Sequence, residues 1–299
     1  MPKRPRHRGH GRRPPERHLY LVFDDWLWGY SIRKLDLSSD DDADEPGKGT
    51  IDGHTKHALP QPVFRLEAPR RSPMSFTAAF GTMIMATHHK STEREIHPLV
   101  PDLVVPIFDV RERGVVFGPR PNEDRSTPSA SPGDDRLFVL SSPGRSASSQ
   151  LPDPVFYPEH VKSYAVHPDG QTIYVSAANY PSIATFTFDM EEGWKLHGEW
   201  MLPVGGRAHF DPELNAWVGL SRYPGLGRLC ACDVVPANTS AGGNGRSAAW
   251  KLGKEMLFCE APEKNHVGAT LLHMGAGSRF CLVQCVYIES SSVGKRSST

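Results

Sequence analysis

The sequence predicts an all-β chain folded as a single irregular β-propeller of about five to six blades. Three observations carry that expectation. Short apolar runs rich in Val, Ile, Phe, Tyr and Thr recur, broken by turn residues roughly every 8–15 positions. No window sustains a 3.6-residue apolar period beyond two turns. Finally, four segments share one ending, an extended run closing on Asp: SIRKLDL at Asp36, VVPIFDV at Asp109, IATFTFDM at Asp189 and RLCACDV at Asp233.

The expected strands follow in order. Runs 19–23 and 30–37 flank a turn at Asp24-Asp25 with Trp26 and Trp28, and 62–67 is the next candidate. Runs 76–80 and 83–88 close on Gly81, while 104–109 and 115–118 close on a charged turn. Then comes 136–140 alone. Strands 163–167 and 172–177 surround His167-Pro168-Asp169-Gly170, where Pro presets φ and Gly supplies a positive φ. Runs 183–189, 194–200, 206–210, 216–221, 228–234 and 256–259 continue the series, with Gly205-Gly206 expected as a turn. The last pair, 269–274 and 279–288, closes on Gly275-Ala276-Gly277. Asp189 and Asp233 lie 44 residues apart, close to one blade of about 40–45 residues. Trp194, Trp200, Trp217 and Trp250 are expected between blades, and strand 19–23 is a candidate to close the ring.

Organisation follows from charge and composition. The 299 residues balance 34 Lys and Arg against 34 Asp and Glu. Residues 1–17 carry seven bases (Lys3, Arg4, Arg6, Arg8, Arg12, Arg13, Arg17) against Glu16 alone, so the rest is acidic by six. Like charge repels itself and stays solvated. A basic leader is therefore expected over 1–18 and the propeller over 19–289. Flexible insertions are expected at 38–57, 121–149 and 237–247, and a disordered tail at 290–299. The 27 glycines and 27 prolines divide between turns and these stretches.

No window approaches a membrane span, and the first apolar run is too short for a signal peptide. Five cysteines, an odd number, sit at 230, 232, 259, 281 and 285 without zinc spacing. They read as buried reduced thiols of an intracellular chain, in cytoplasm or nucleus.

The strings SYAVHPDGQTIYVSAA, FTFDMEEGWKLHGEWMLPVGGRAHFDPELNAWVGLS, LCACDV and MGAGSRFCLVQ resemble a grass-expanded plant family of uncharacterised, kelch-like or F-box-associated β-propellers. The resemblance covers about residues 19–288 and implies a kelch-like propeller, with no activity to carry onto residues here. An F-box needs a helical segment ahead of the propeller, and only a short polar leader precedes Leu19, so no F-box is expected.

Catalytic patterns are absent: G-x-S-x-G, H-E-x-x-H and G-x-x-x-x-G-K-[ST] do not occur. Asp169, Asp189, Asp211 and Asp233, with His167, His209 and His273, repeat with the strands. Repetition suits acids that cap turn N–H groups rather than catalytic groups. The expectation is a non-enzyme, without cofactor or metal: a monomeric interaction module taking a protein or peptide on one face. Candidate contacts are Trp26, Trp28, His88 and Tyr223, since exposed aromatics favour binding hot spots. The alternatives are a lactonase-like propeller hydrolase holding a metal, and a nuclear protein touching nucleic acid or import machinery through Lys3, Arg4, Arg6, Arg8, Arg12 and Arg13. The acidic body makes broad nucleic-acid binding the weaker reading.

Overall fold

The computed structural model describes residues 18–36, 59–67, 74–79, 81–88, 105–118, 125–130, 137–141, 156–179, 181–189, 192–222, 226–236, 247–275 and 277–288. These residues are all-β, with nineteen strands and one three-residue 3-10 turn, Pro158–His160. Residues 1–17 of the leader, all of 38–57, residues 121–124, 131–136 and 142–149, residues 237–246 and the tail lie outside them.

The first sheet is an antiparallel meander of β1 (His18–Trp26), β2 (Gly29–Asp36) and β3 (Pro62–Glu67). The second is four-stranded: β4 (Met74–Ala79), β5 (Met83–His88), β6 (Val105–Asp109) and β7 (Gly114–Gly118). A hairpin of β8 (Arg125–Ala130) and β9 (Leu137–Ser141) follows. Next come two further four-stranded meanders, each pairing in chain order. One holds β10 (Val161–Val166), β11 (Ile173–Asn179), β12 (Ser182–Asp189) and β13 (Gly193–Gly198). The other holds β14 (Val204–Asp211), β15 (Ala216–Ser221), β16 (Leu229–Asp233) and β17 (Trp250–Leu252). A hairpin of β18 (Lys264–His273) and β19 (Phe280–Ile288) ends the described chain.

The two later meanders join through their first strands. β10 and β14 run parallel, pairing Ser163, Tyr164 and Ala165 with Gly206, Arg207 and Ala208. Across that seam lies the main core, with Trp217, Tyr174, Leu202, Val204 and Ala165 almost wholly buried. Buried aromatic rings usually satisfy their polar ends. Trp200 Nε1 in this cluster has no partner among the described residues, whereas Trp217 and Tyr174 do. Trp217 Nε1 donates to the Val166 carbonyl at 3.0 Å and the Tyr174 hydroxyl to the Val235 carbonyl at 3.0 Å. Their ring centroids are 5.0 Å apart. Buried hydroxyls form a closed relay. Leu202 N–H donates to Ser176 Oγ (3.0 Å), Ser176 to Thr185 Oγ1 (2.9 Å), and Thr185 to the Trp200 carbonyl (2.6 Å). No donor in that chain is left over.

Several expectations are corrected. Residues 256–259 form no strand; β17 lies at 250–252, where Trp250 pairs with Cys232. The apolar Met256 and Phe258 instead cover Gly227, whose φ of 83° and lack of a Cβ leave them room. The stretch 121–149 holds two strands rather than one. β8 was hidden by Pro128, which a two-stranded edge tolerates because one side of it needs no N–H. Gly205-Gly206 lies inside β14, where the register shifts, rather than in a turn. Asp25 belongs to β1, and its carboxylate binds Arg33 at 2.6 Å and Ser31 at 2.5 Å. β1 pairs only with β2 among the described residues. Trp250 is 50% exposed on an outer strand, whereas Trp217 and Trp200 are buried and Trp194 packs at the rim of a second cluster with Phe156 and Phe188. Cys230 and Cys232 are buried, but Cys259 and Cys285 are exposed. Burial pushes the Cys230 thiol up to about 11 and, with neighbouring charge, the Cys232 thiol to about 12.

Trp217→Ala should cost about 3–5 kcal/mol, the usual loss on emptying a buried aromatic site. Trp217→Phe should cost less, losing the bond to Val166 but keeping a ring. Urea denaturation followed by far-UV circular dichroism measures both, and near-equal midpoints for Trp217→Ala and wild type would refute the seam's role.

Candidate functional site

A cleft of about 540 Å³ opens between the first two sheets, lined by His18, Tyr20, Lys34, Val63, Gly81, Thr82, Phe108, Val110, Arg111 and Arg113. Its walls follow from strand register. His18 faces Asp36 and Tyr20 faces Lys34 across β1 and β2, and alternation puts these four on one face. The second sheet contributes the β4–β5 turn and the β6–β7 turn. Phe64 stacks on Phe108 with centroids 4.6 Å apart, and Tyr30 meets Phe76 edge-on at 4.9 Å. These two aromatic pairs clamp the sheets and leave the polar cleft beside them.

The cleft is cationic. Lys34, Arg111 and Arg113 bring three positive charges, and among the described residues no carboxylate lines it. Asp36 sits at its edge, with His18 Nδ1 at 2.6 Å and Lys34 Nζ at 3.3 Å. Lys34 foremost, then His18, holds the Asp36 carboxyl below its ordinary range. The β6–β7 turn is built by Asp109, whose Oδ1 accepts the N–H groups of Arg111 (2.8 Å) and Glu112 (3.3 Å). Val110 N–H donates to the Thr82 carbonyl at 2.9 Å, which ties the two turns of the second sheet together.

A second polar cluster joins β14 to the β18–β19 hairpin. Asp211 is fully buried, and its Oδ1 accepts from Glu213 N–H (2.9 Å), Leu214 N–H (3.1 Å) and Ser278 Oγ (2.9 Å). Burial pushes this carboxyl up, yet those bonds, with His273 nearby, outweigh it and hold the group below its usual range. His209 Nε2–H donates to the Leu271 carbonyl at 2.9 Å. Burial and the Arg207 charge push His209 down to about 4. Asp211 Oδ2, His273 Nε2 and Arg207 Nε are buried without a hydrogen-bond partner.

Of the four repeated acids, Asp169, Asp189 and Asp211 behave as turn caps. Asp169 Oδ1 accepts from Gln171 and Thr172 N–H groups at 2.8 and 2.9 Å, and Asp189 Oδ1 from Glu192 N–H at 3.2 Å. Among the described residues no three of His, Cys, Asp and Glu gather as a metal set. Trp28 is 67% exposed at the β1–β2 tip, about 26 Å along β1 from His18 at the usual rise per residue, so it does not reach the cleft. The backbones of Trp26 and His88 end β1 and β5. Their side chains, like Tyr223 and the leader bases Lys3, Arg4, Arg6, Arg8, Arg12 and Arg13, lie outside the described residues. Sequence reading missed Lys34, Arg111 and Arg113. The signal available was the charged run Arg111-Glu112-Arg113 after a strand-closing Asp.

A family model described as "Protein of unknown function (DUF1668)" matches residues 16–150 and 143–299. The chain belongs to that family. No curated protein matches it. Among solved structures, TolB from Acinetobacter baumannii is similar over 72% of this chain and 48% of its own, at 11% identity and a TM-score of 0.37. The chain thus spans about half the length of that protein, and a likeness this loose carries no argument about fold or activity. No helix among the described residues is long and apolar enough to cross a membrane.

Acidification lowers stability in part through the buried His197 and most through the half-buried His209. The unfolded His209 side chain titrates near 6.5 and the folded one near 4, so protons favour the unfolded chain as pH drops through that window. The loss should reach up to about 3 kcal/mol, with Asp211 adding a further loss below the ordinary carboxylate range. Denaturation midpoints from pH 7 to pH 4 read this directly. His209→Gln should flatten the limb between 6.5 and 4, and an unchanged limb would refute the assignment.

Proposed function

We propose that this member of the DUF1668 family is a non-catalytic interaction module that binds a negatively charged protein or peptide segment in the cleft between its first two sheets. One observation carries the reading: three cations line the cleft and, among the described residues, no carboxylate does. Electrostatic complementarity of this kind steers and orients an acidic partner. The cleft's upper rim is a turn on a rigid four-stranded sheet, the usual arrangement for binding loops.

The finer architecture is part of the same proposal, namely a kelch-like propeller of about five to six blades. It is supported by three four-stranded antiparallel meanders, in each of which the third strand closes on Asp: Asp109, Asp189 and Asp233. The parallel contact between β10 and β14 is what adjacent blades give when their innermost strands approach. The family resemblance to plant propellers points the same way.

A short Glu-rich peptide should bind the full chain, more weakly as salt rises. Lys34→Glu together with Arg111→Glu should weaken binding at least about tenfold, ~1.4 kcal/mol. Fluorescence anisotropy at two ionic strengths measures this. Binding that ignores both salt and the double variant would overturn the assignment of the cleft.

A further inference from the structure

We infer that the cleft reads a phosphoryl group carried on an acidic peptide segment, with Arg113 as its specificity-determining residue. The inference rests on the interaction-module reading above and narrows its ligand.

The first observation is backbone conformation. Arg113 has a φ of 54°, and Asn215 at 46° is the other described non-glycine residue with positive φ. Asn visits this region readily because its short side chain bonds locally; a long Arg has no such compensation. The turn itself does not need Arg. It is fixed by Asp109 Oδ1 on the Arg111 and Glu112 N–H groups and by Val110 N–H on the Thr82 carbonyl. Gly would satisfy position 113 without strain, and Gly stands next to it at 114. The left-handed backbone at 113 closes the hairpin, as Asn215 does after Asp211. The Arg113 side chain, however, bonds nothing in that turn and lines the cleft instead, a costly choice of residue that a ligand would explain.

The second observation is charge balance. Lys34 is engaged by Asp36, whereas neither the Arg111 nor the Arg113 guanidinium meets a carboxylate among the described residues. After Asp36 offsets Lys34, the two guanidinium groups stand without an ion-pair partner among the described residues, while Asp109 and Glu112 in the same turn temper the field around them. A dianionic phosphoryl group can engage both guanidinium groups at once, which a single carboxylate does less completely. Guanidinium forks also suit phosphoryl oxygens in geometry, and two forks two residues apart can share three oxygens. Thr82 and Tyr20 add neutral hydroxyl donors to the same wall.

The third observation is size and lining. A volume of about 540 Å³ exceeds what one phosphate fills, and Val63, Phe108 and Val110 supply an apolar part. That combination accommodates a modified side chain with its flanking residues, in the manner of Arg-cluster recognition of phosphorylated segments.

Calorimetry on the full chain should compare a phosphoserine peptide with acidic flanks, its unmodified serine twin, the Glu-rich peptide and inorganic phosphate. The phosphopeptide should bind at least about tenfold tighter than its twin, ~1.4 kcal/mol. Arg113→Gly should lose about that factor while its Tm equals or exceeds that of the wild type, a combination that a purely structural arginine does not give. Arg113→Lys should recover only part of the affinity. Equal binding of phosphopeptide and twin, or wild-type affinity in Arg113→Gly, overturns the inference. Competition by inorganic phosphate as strong as by the phosphopeptide also overturns it and leaves a small-anion site. If the Glu-rich peptide binds and phosphorylation adds nothing, only this inference falls; if no peptide binds, the interaction-module reading falls with it.

Discussion

The packing of Trp217 against Tyr174 across the β10–β14 seam is the contact on which the best-packed part of the molecule depends. Each ring sends its polar end to a backbone carbonyl beyond its own strand, Val166 for Trp217 and Val235 for Tyr174. Two meanders that would otherwise expose one strand edge each thereby become a continuous eight-stranded sheet. Pairing through parallel first strands covers only three residues, too few hydrogen bonds to hold alone. The buried rings and the Leu202–Ser176–Thr185–Trp200 relay supply what the ladder lacks.

The first two sheets use a different device. There the join is two aromatic contacts, Phe64 with Phe108 and Tyr30 with Phe76, beside which a polar cleft remains. A seam closed by backbone pairing leaves no room for a ligand, while one closed by a few rings does. The same fold thus contains a sealed junction and an open one. The cations of the cleft come from the open junction: Lys34 lies on the same β2 face as Tyr30, and Arg111 and Arg113 lie on the β6–β7 turn.

Turn chemistry was legible in the residues themselves. Asp109, Asp169 and Asp211 accept backbone N–H groups two and three residues ahead, which an Asp before a turn does through local geometry alone. Strand positions were legible wherever apolar and polar residues alternate. They were lost where propensity and partner disagree. β8 carries Pro128 and few apolar residues, and becomes a strand only because β9 pairs with it. Conversely, Met256-Leu257-Phe258 looks like a strand and is instead a cover over Gly227. The candidate site was not legible, because exposed aromatics such as Trp28 advertise themselves in a sequence and scattered cations do not. Lys34 and Arg111 are far apart in the chain, and nothing local marks them as neighbours.

What the sequence determined by itself is the all-β class, the hairpins and their aspartate-capped turns. Each of these depends on contacts within a few residues, and side-chain chemistry specifies them directly. The tertiary structure decided which tryptophans are core, which apolar run is a strand, and where charge accumulates. Those outcomes depend on which sheet faces which. Trp217 and Trp250 are the same residue type in one meander, on β15 and β17 with β16 between them, yet one is wholly buried and the other half-exposed. Only one of them has another sheet across from it.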